Sequence, residues 1–365
     1  MKYWRGYLIA VIIAACGWGL RSFAESHTAL VDMIYPYMTR TIQGQLATWS
    51  SGVDFCVWQV VLTAVICVGL LTIVLMFVLR WNPIQLFGWM LAVVSLYNFA
   101  NTAIYGLNYY SGPLAEDLRM ENTEYAYDVS ELERAAVYYR EFANAMSNQI
   151  TRDSAGQPVF DDFDTINQLA ADSYHTLVYD RYYPVFSGST LPVKKLELTG
   201  SKSQVGITVP LTGESAVDPR IPGICQPFAI CREMARRMCI AIEGDSDFAS
   251  FLACDAGSTL QYRYSGYFMA YRACYKTLED ICNTTGNMSP LQRLEQGESS
   301  KLKADIAAYE SYFGDEDCVS EGFCDMLVLW HIETVILPQM EEEEQTFDPT
   351  DENQVDLSGI VNAKP

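Results

Sequence analysis

Pro227-Phe228-Ala229-Ile230-Cys231-Arg232-Glu233-Met234-Ala235-Arg236-Arg237-Met238 is the stretch on which the reading of this 365-residue chain turns. Proline suits the first turn of a helix, where its missing N–H is no loss. Gly244 is a typical stop, so the spacing predicts a helix over 227–242. Arg232 and Arg236 stand four residues apart and therefore share a face, with Glu233 beside the first. By periodicity alone, Arg-Glu-x-x-Arg reads as a solvated helix face.

The same five positions also match a metal motif with its ligands exchanged. In a His-Glu-x-x-His helix, two imidazoles one turn apart hold zinc and the glutamate takes a proton from the metal-bound water. Here the glutamate remains as Glu233, and Arg232 and Arg236 stand where the imidazoles would be. A guanidinium is always protonated and has no lone pair to offer a metal. Glu243, Asp245 and Asp247 follow as an acidic cluster at the expected helix end.

Upstream, the chain is strongly apolar. Residues 57–79 contain no charge and are long enough to cross a bilayer. Arg80-Trp81-Asn82-Pro83 ends that run, and a second span is expected over about 85–105. Asn98 and Asn101 in it are expected to face another helix. Tyr105, Tyr109 and Tyr110 suit an interface zone. Near the N-terminus, residues 6–20 are apolar between Arg5 and Arg21, and Ser22-Phe23-Ala24 resembles a small-x-small cleavage site. Two readings stand there: a signal peptide, or a retained first span over about 4–21 with residues 34–51 as a loop outside the membrane. Lys2, Arg5 and Arg80 favour the cytoplasmic side in either case, which places the long C-terminal region outside the cytoplasm.

That region is acidic, and the net charge of the chain is −21. Such a surface repels phosphate backbones, so nucleic acid is excluded as a partner. His27, His175 and His331 are the only histidines, and no metal-ligand spacing joins them. His175 reads as a core residue of its helix. Of eleven cysteines, Cys16, Cys56 and Cys67 fall in apolar segments and read as buried; eight lie between Cys225 and Cys324, with Cys318 and Cys324 a candidate disulfide around a short loop. Ser130-Glu131-Leu132-Glu133 is a capping-box pattern opening a helix to about Ile150. A second helix is expected over about 165–182. Residues 194–198 and 205–209 favour strand and are expected to pair as a hairpin. Pro210-Leu211-Thr212-Gly213-Glu214-Ser215 then reads as an irregular approach to the motif helix. The tail, residues 341–365, is acidic without apolar periodicity and is expected to be disordered.

Several motifs in order carry a resemblance: Val205-Gly206-Ile207-Thr208-Val209-Pro210-Leu211-Thr212-Gly213-Glu214, the Arg232–Arg236 helix, residues 243–248, Ala253-Cys254 and Tyr264-Ser265-Gly266-Tyr267. Together with Asn108-Tyr109-Tyr110, they are similar to a bacterial membrane-protein family of unknown function with three spans and a zincin-like domain. Its members carry His-Glu-x-x-His and then a Glu-x-Glu-Ala-Asn-Phe-like segment.

The resemblance implies a membrane-anchored α+β protein: transmembrane helices within 1–110, a mostly helical zincin-like extracytoplasmic domain with a small sheet over 111–340, and the tail. It implies Glu233 as a vestigial general base, Asp245 or Glu243 as the former third zinc ligand, and residues Gly206, Ile207, Thr208 and Val209 as a candidate edge strand able to pair with an extended peptide, the alternative being one ordinary strand of a small sheet. No cofactor is expected here, since zinc belongs to relatives with the intact motif. The expected role is a pseudopeptidase of the bacterial cell membrane that binds a peptide or membrane protein. An active hydrolase with a non-standard site and a purely structural domain are the alternatives.

Overall fold

The apolar runs and the motif helix come together in a computed structural model that describes residues 4–120, 126–178, 185–197, 202, 204–314, 318–320 and 322–339. Among the described residues, three helices are long and apolar enough to cross a membrane: α1 (Arg5–Ser26), α3 (Val57–Val78) and α4 (Pro83–Ile104). Between the first two lies α2 (Thr28–Ser50), which replaces the loop expected over 34–51. Its polar face docks on the C-terminal part: Arg40 Nε donates to the Met238 carbonyl at 2.8 Å and Gln43 Nε2 to that of Pro210 at 3.0 Å.

α1 and α4 run parallel. Gly6 lies against Gly88, Gly17 against Phe99, and Arg21 Nη2 donates to Thr102 Oγ1 at 2.8 Å. A Cβ on Gly6 would stand 2.5 Å from the Gly88 carbonyl carbon, so the close crossing requires glycine there. Two parallel spans need a third running back between them, and α3 supplies it with no residue buried in the protein. Ser22-Phe23-Ala24 lies inside α1, and Ala24 is fully buried in a cluster with Val31 and Leu107. The segment therefore packs as part of the fold. Asn98 does not face another helix. It is exposed and donates to the Val94 carbonyl of its own helix at 3.0 Å.

Beyond a short α5 (Leu114–Asp117), the chain packs helices around one large core. They are α6 (Val129–Gln149), α7 (Phe163–Leu177), α8 (Gln226–Arg237), α9 (Glu243–Asp255), α10 (Leu260–Thr285), α11 (Ser289–Gln296), α12 (Ser300–Phe313) and α13 (Phe323–His331). The capping box of α6 is set by Asp128, two residues earlier than expected. Asp128 Oδ1 accepts from Glu131 N, and Glu131 Oε2 accepts from Asp128 N, both at 2.9 Å. α7 starts two residues before the expected helix because Asp162 caps it. Its expected end at 182 lies outside the described residues, as does the tail over 341–365.

The expected hairpin is absent. β1 (Lys194–Lys195) and β2 (Gly206–Val209) do not pair with each other. Both pair with β3 (Glu214–Val217), β1 in parallel and β2 antiparallel, giving the order β1-β3-β2. The stretch read as an irregular approach thus supplies the central strand. Its four residues are all buried, so they show no polar–apolar alternation to mark them as strand.

Candidate functional site

The motif helix α8 is almost wholly buried, and its ends and carbonyls are tied to neighbours. Ser250 Oγ donates to the Phe228 carbonyl at 2.6 Å, Tyr174 Oη to that of Cys231 at 2.8 Å, and Ser215 Oγ to that of Glu233 at 2.8 Å. The helix ends at Arg237, five residues before the expected stop. Cys239, at φ +69°, takes the left-handed position that glycine usually fills, and Ile240 N reaches back to the Ala235 carbonyl at 3.2 Å. Gly244 falls inside the first turn of α9.

The two arginines fold inward. Glu233 is fully buried, and both guanidinium groups share its Oε1: Arg232 Nε at 3.5 Å and Arg236 Nη1 at 3.4 Å. Thr208 Oγ1 of β2 donates to Oε2 at 2.8 Å. The strand comes this close because residue 206 is glycine, whose Cβ would stand 2.6 Å from Glu233 Cγ. Arg232 also donates to the Cys318 carbonyl at 2.6 Å and pairs with Asp247 at 3.5 Å. Arg236 reaches Ser246 Oγ at 3.3 Å and Glu243 at 3.7 Å, and Tyr105 Oη donates to its carbonyl at 2.9 Å.

Burial alone would push the Arg232 guanidinium down. The facing carboxylates of Asp247 and Glu233 outweigh it, so it is held more firmly protonated than usual. Burial raises Asp247, opposed by Arg232 and by two hydrogen bonds from Ser320, from its N at 2.8 Å and its Oγ at 2.5 Å. Three donors converge on that carboxylate and favour its charged form, while burial, the larger influence, keeps it above the ordinary carboxylate value.

Asp245, expected in this cluster, is not there. It accepts from Leu114 N at 3.0 Å, away from the arginines, and burial pushes its carboxyl up to about 6. Asp247 takes its place. The signal was available: once the helix starts at Glu243, positions 243 and 247 share a face and 245 does not.

The expected bridge between Cys318 and Cys324 is not formed. Cys318 Sγ accepts from Tyr309 Oη at 3.2 Å, while the Cys324 thiol is engaged by Cys274 on α10. Cys16 and Cys67 are exposed on their apolar helices and only Cys56 of that group is buried. His175 is exposed too, with Nε2 3.4 Å from Thr190 Oγ1, and is no core residue. His331 is buried against Tyr138, with ring centroids 4.9 Å apart, and burial lowers it to about 4.

Beside Arg232 and Arg236 runs a groove of about 550 Å³. β2 forms one side of it and is an edge strand among the described residues. Its register fixes what it displays. Asp218 N bonds to the Val205 carbonyl at 2.9 Å across the β2–β3 ladder. Directly opposed antiparallel residues alternate between bonded and non-bonded pairs. The Gly206–Val217 and Thr208–Ser215 pairs are therefore non-bonded, and the N–H and C=O groups of Gly206 and Thr208 point away from β3.

The residues do not fit a zinc ion. The two helix positions that would supply imidazoles carry cations, and the described residues hold no group of three His, Cys, Asp or Glu side chains able to ligate a metal. Both oxygens of Glu233 are engaged by protein donors.

Across residues 31–326 the chain matches the model of a family described as "Protein of unknown function (DUF3810)", and it belongs to that family. No curated protein and no solved structure matches it.

Proposed function

We propose that this is a metal-free relative of a zincin peptidase, a pseudopeptidase that binds an extended polypeptide beside its former catalytic helix. The observation that carries this reading is the pairing of Arg232 and Arg236 with Glu233, next to an edge strand whose outward backbone groups line the groove. A zinc site gathers carboxylates around a divalent cation. Two guanidinium groups supply an equal positive charge at the same helix positions and hold Glu233 in place. The exchange is matched at Asp247, which stands where the resembling segment has asparagine and gives Arg232 a counter-ion. With neither a Lewis acid nor an open base, the arrangement supports binding without peptide hydrolysis. An extended peptide would add to β2 by main-chain hydrogen bonds.

Arg5 and Arg80 lie at the same ends of the parallel and returning spans, which supports that side as cytoplasmic and the groove as outside it. Metal analysis of the chain purified from membranes tests the reading. The expected result is no zinc above background; one zinc per chain retained through dialysis would overturn it.

A further inference from the structure

One wall of the groove is a membrane span. Tyr97 and Asn101 of α4 line it, followed by Tyr105 and Tyr109 just past the helix end at Ile104. Tyr97 is seven residues before that end, roughly 10 Å along the axis at about 1.5 Å per residue. Tyrosines at that level mark the headgroup zone, and Val93, Val94 and Leu96 next to them are exposed apolar residues suited to lipid. The opposite wall is β2, which pairs on its other side with β3 and has no further strand beside it among the described residues. The groove therefore spans from the outer hydrocarbon boundary to a strand that offers backbone partners.

We infer that the occupant is an extended segment of another membrane-anchored polypeptide, held where it leaves its own span. The inference rests on the peptide-groove reading above and specifies the class of peptide. A chain leaving a transmembrane helix in extended form exposes N–H and C=O groups that the hydrocarbon edge cannot satisfy. Gly206 and Thr208 present complementary groups at that level. An anchored segment also reaches the groove by two-dimensional diffusion at a raised effective concentration, an advantage that a soluble peptide lacks.

The test uses the full chain in lipid nanodiscs with a photo-crosslinking residue at Gln204, which is exposed and lines the groove. The probe is a library of random extended segments presented in three ways: joined to a single-pass helix by a short linker, joined by a long one, or free in solution. The expected result is that adducts favour the short-linker arm by at least about tenfold, in the range that tethering provides. The same preference should be absent when the photo-probe sits at Asn287, outside the groove. Equal yields from free and anchored segments would overturn the anchored occupant and leave a peptide groove standing. Equal short-linker preference at Asn287 would reduce the effect to tethering and overturn the inference. No adduct in any arm would overturn both readings.

Discussion

At the scale of single residues, the account depends on charges that are buried because they are paired. Arg232, with its side chain 7% exposed, faces two carboxylates. Replacing it with alanine strands Asp247 in the interior, and breaking a buried pair this way costs about 3–5 kcal/mol. Denaturant unfolding in detergent should show that loss for Arg232→Ala, and a smaller one for Arg232→Met combined with Asp247→Asn, which removes both charges. Asp245 gives a separate, pH-dependent signal. Its carboxyl is raised from 3.8 to about 6 in the fold, chiefly by burial. The folded state therefore binds more protons than the unfolded one between those values, so its contribution to stability is full below pH 4 and is lost as pH rises through 6. Asp245→Asn should leave stability near pH 4 little changed and raise it at pH 7.5. An equal effect at both pH values would contradict the assignment. The motif, Glu233 and the Arg pattern were legible in the sequence. The exchange of Asp245 for Asp247 was missed, although the helical spacing of 243 and 247 carried it, because Gly244 reads as a helix end and lies instead in the first turn of α9.

At the scale of elements, Thr212-Gly213-Glu214 joins the sheet to the membrane helices. The Glu214 carboxylate is buried, takes Lys194 Nζ at 2.6 Å, and accepts from the first backbone amides of α3, Val57 N and Trp58 N, each at 2.8 Å. An anionic cap on a helix N-terminus is favourable. Gly213 has φ +64°, and its Cβ would stand 2.5 Å from Ala47 N of α2. Glu214→Gln should lower stability by about 1–3 kcal/mol, as expected when a buried charge-assisted network loses its anion. Gly213→Ala should do at least as much, through both backbone strain and the clash with α2. Thermal unfolding in detergent measures both; no change in either would mean that the joint does not hold the sheet to the spans. The sequence marked this segment as distinctive without revealing its role, because the α3 amides that Glu214 caps lie more than 150 positions away in the chain. The amphipathic helices were readable from their spacing, whereas β3, buried on both faces, leaves no alternating signal.

At the scale of the molecule, two parallel spans and one returning span put the α2–α3 link on the same side as the groove, and the Arg80 link on the other. With the proposed orientation, a cysteine introduced at Asp54 should react with a membrane-impermeant thiol reagent in intact cells, and one at Asn82 only after permeabilisation. The reverse pattern would invert the topology. The second and third spans were plain in the sequence from their length and lack of charge, whereas the first stood open between a signal peptide and a retained helix. That α2 is a docked helix was hidden, because the partners of Arg40 and Gln43, at Met238 and Pro210, lie far away in the chain.

The central claim is that the arginine pair replaces a metal on an otherwise retained framework, and zinc stoichiometry of the Arg232→His, Arg236→His double variant tests it most directly. The expected result is one tightly bound zinc per chain, lost when Glu243→Ala is added, since Glu243 lies 3.7 Å from Arg236, and retained with Asp245→Asn. A folded double variant that binds no zinc would contradict the account.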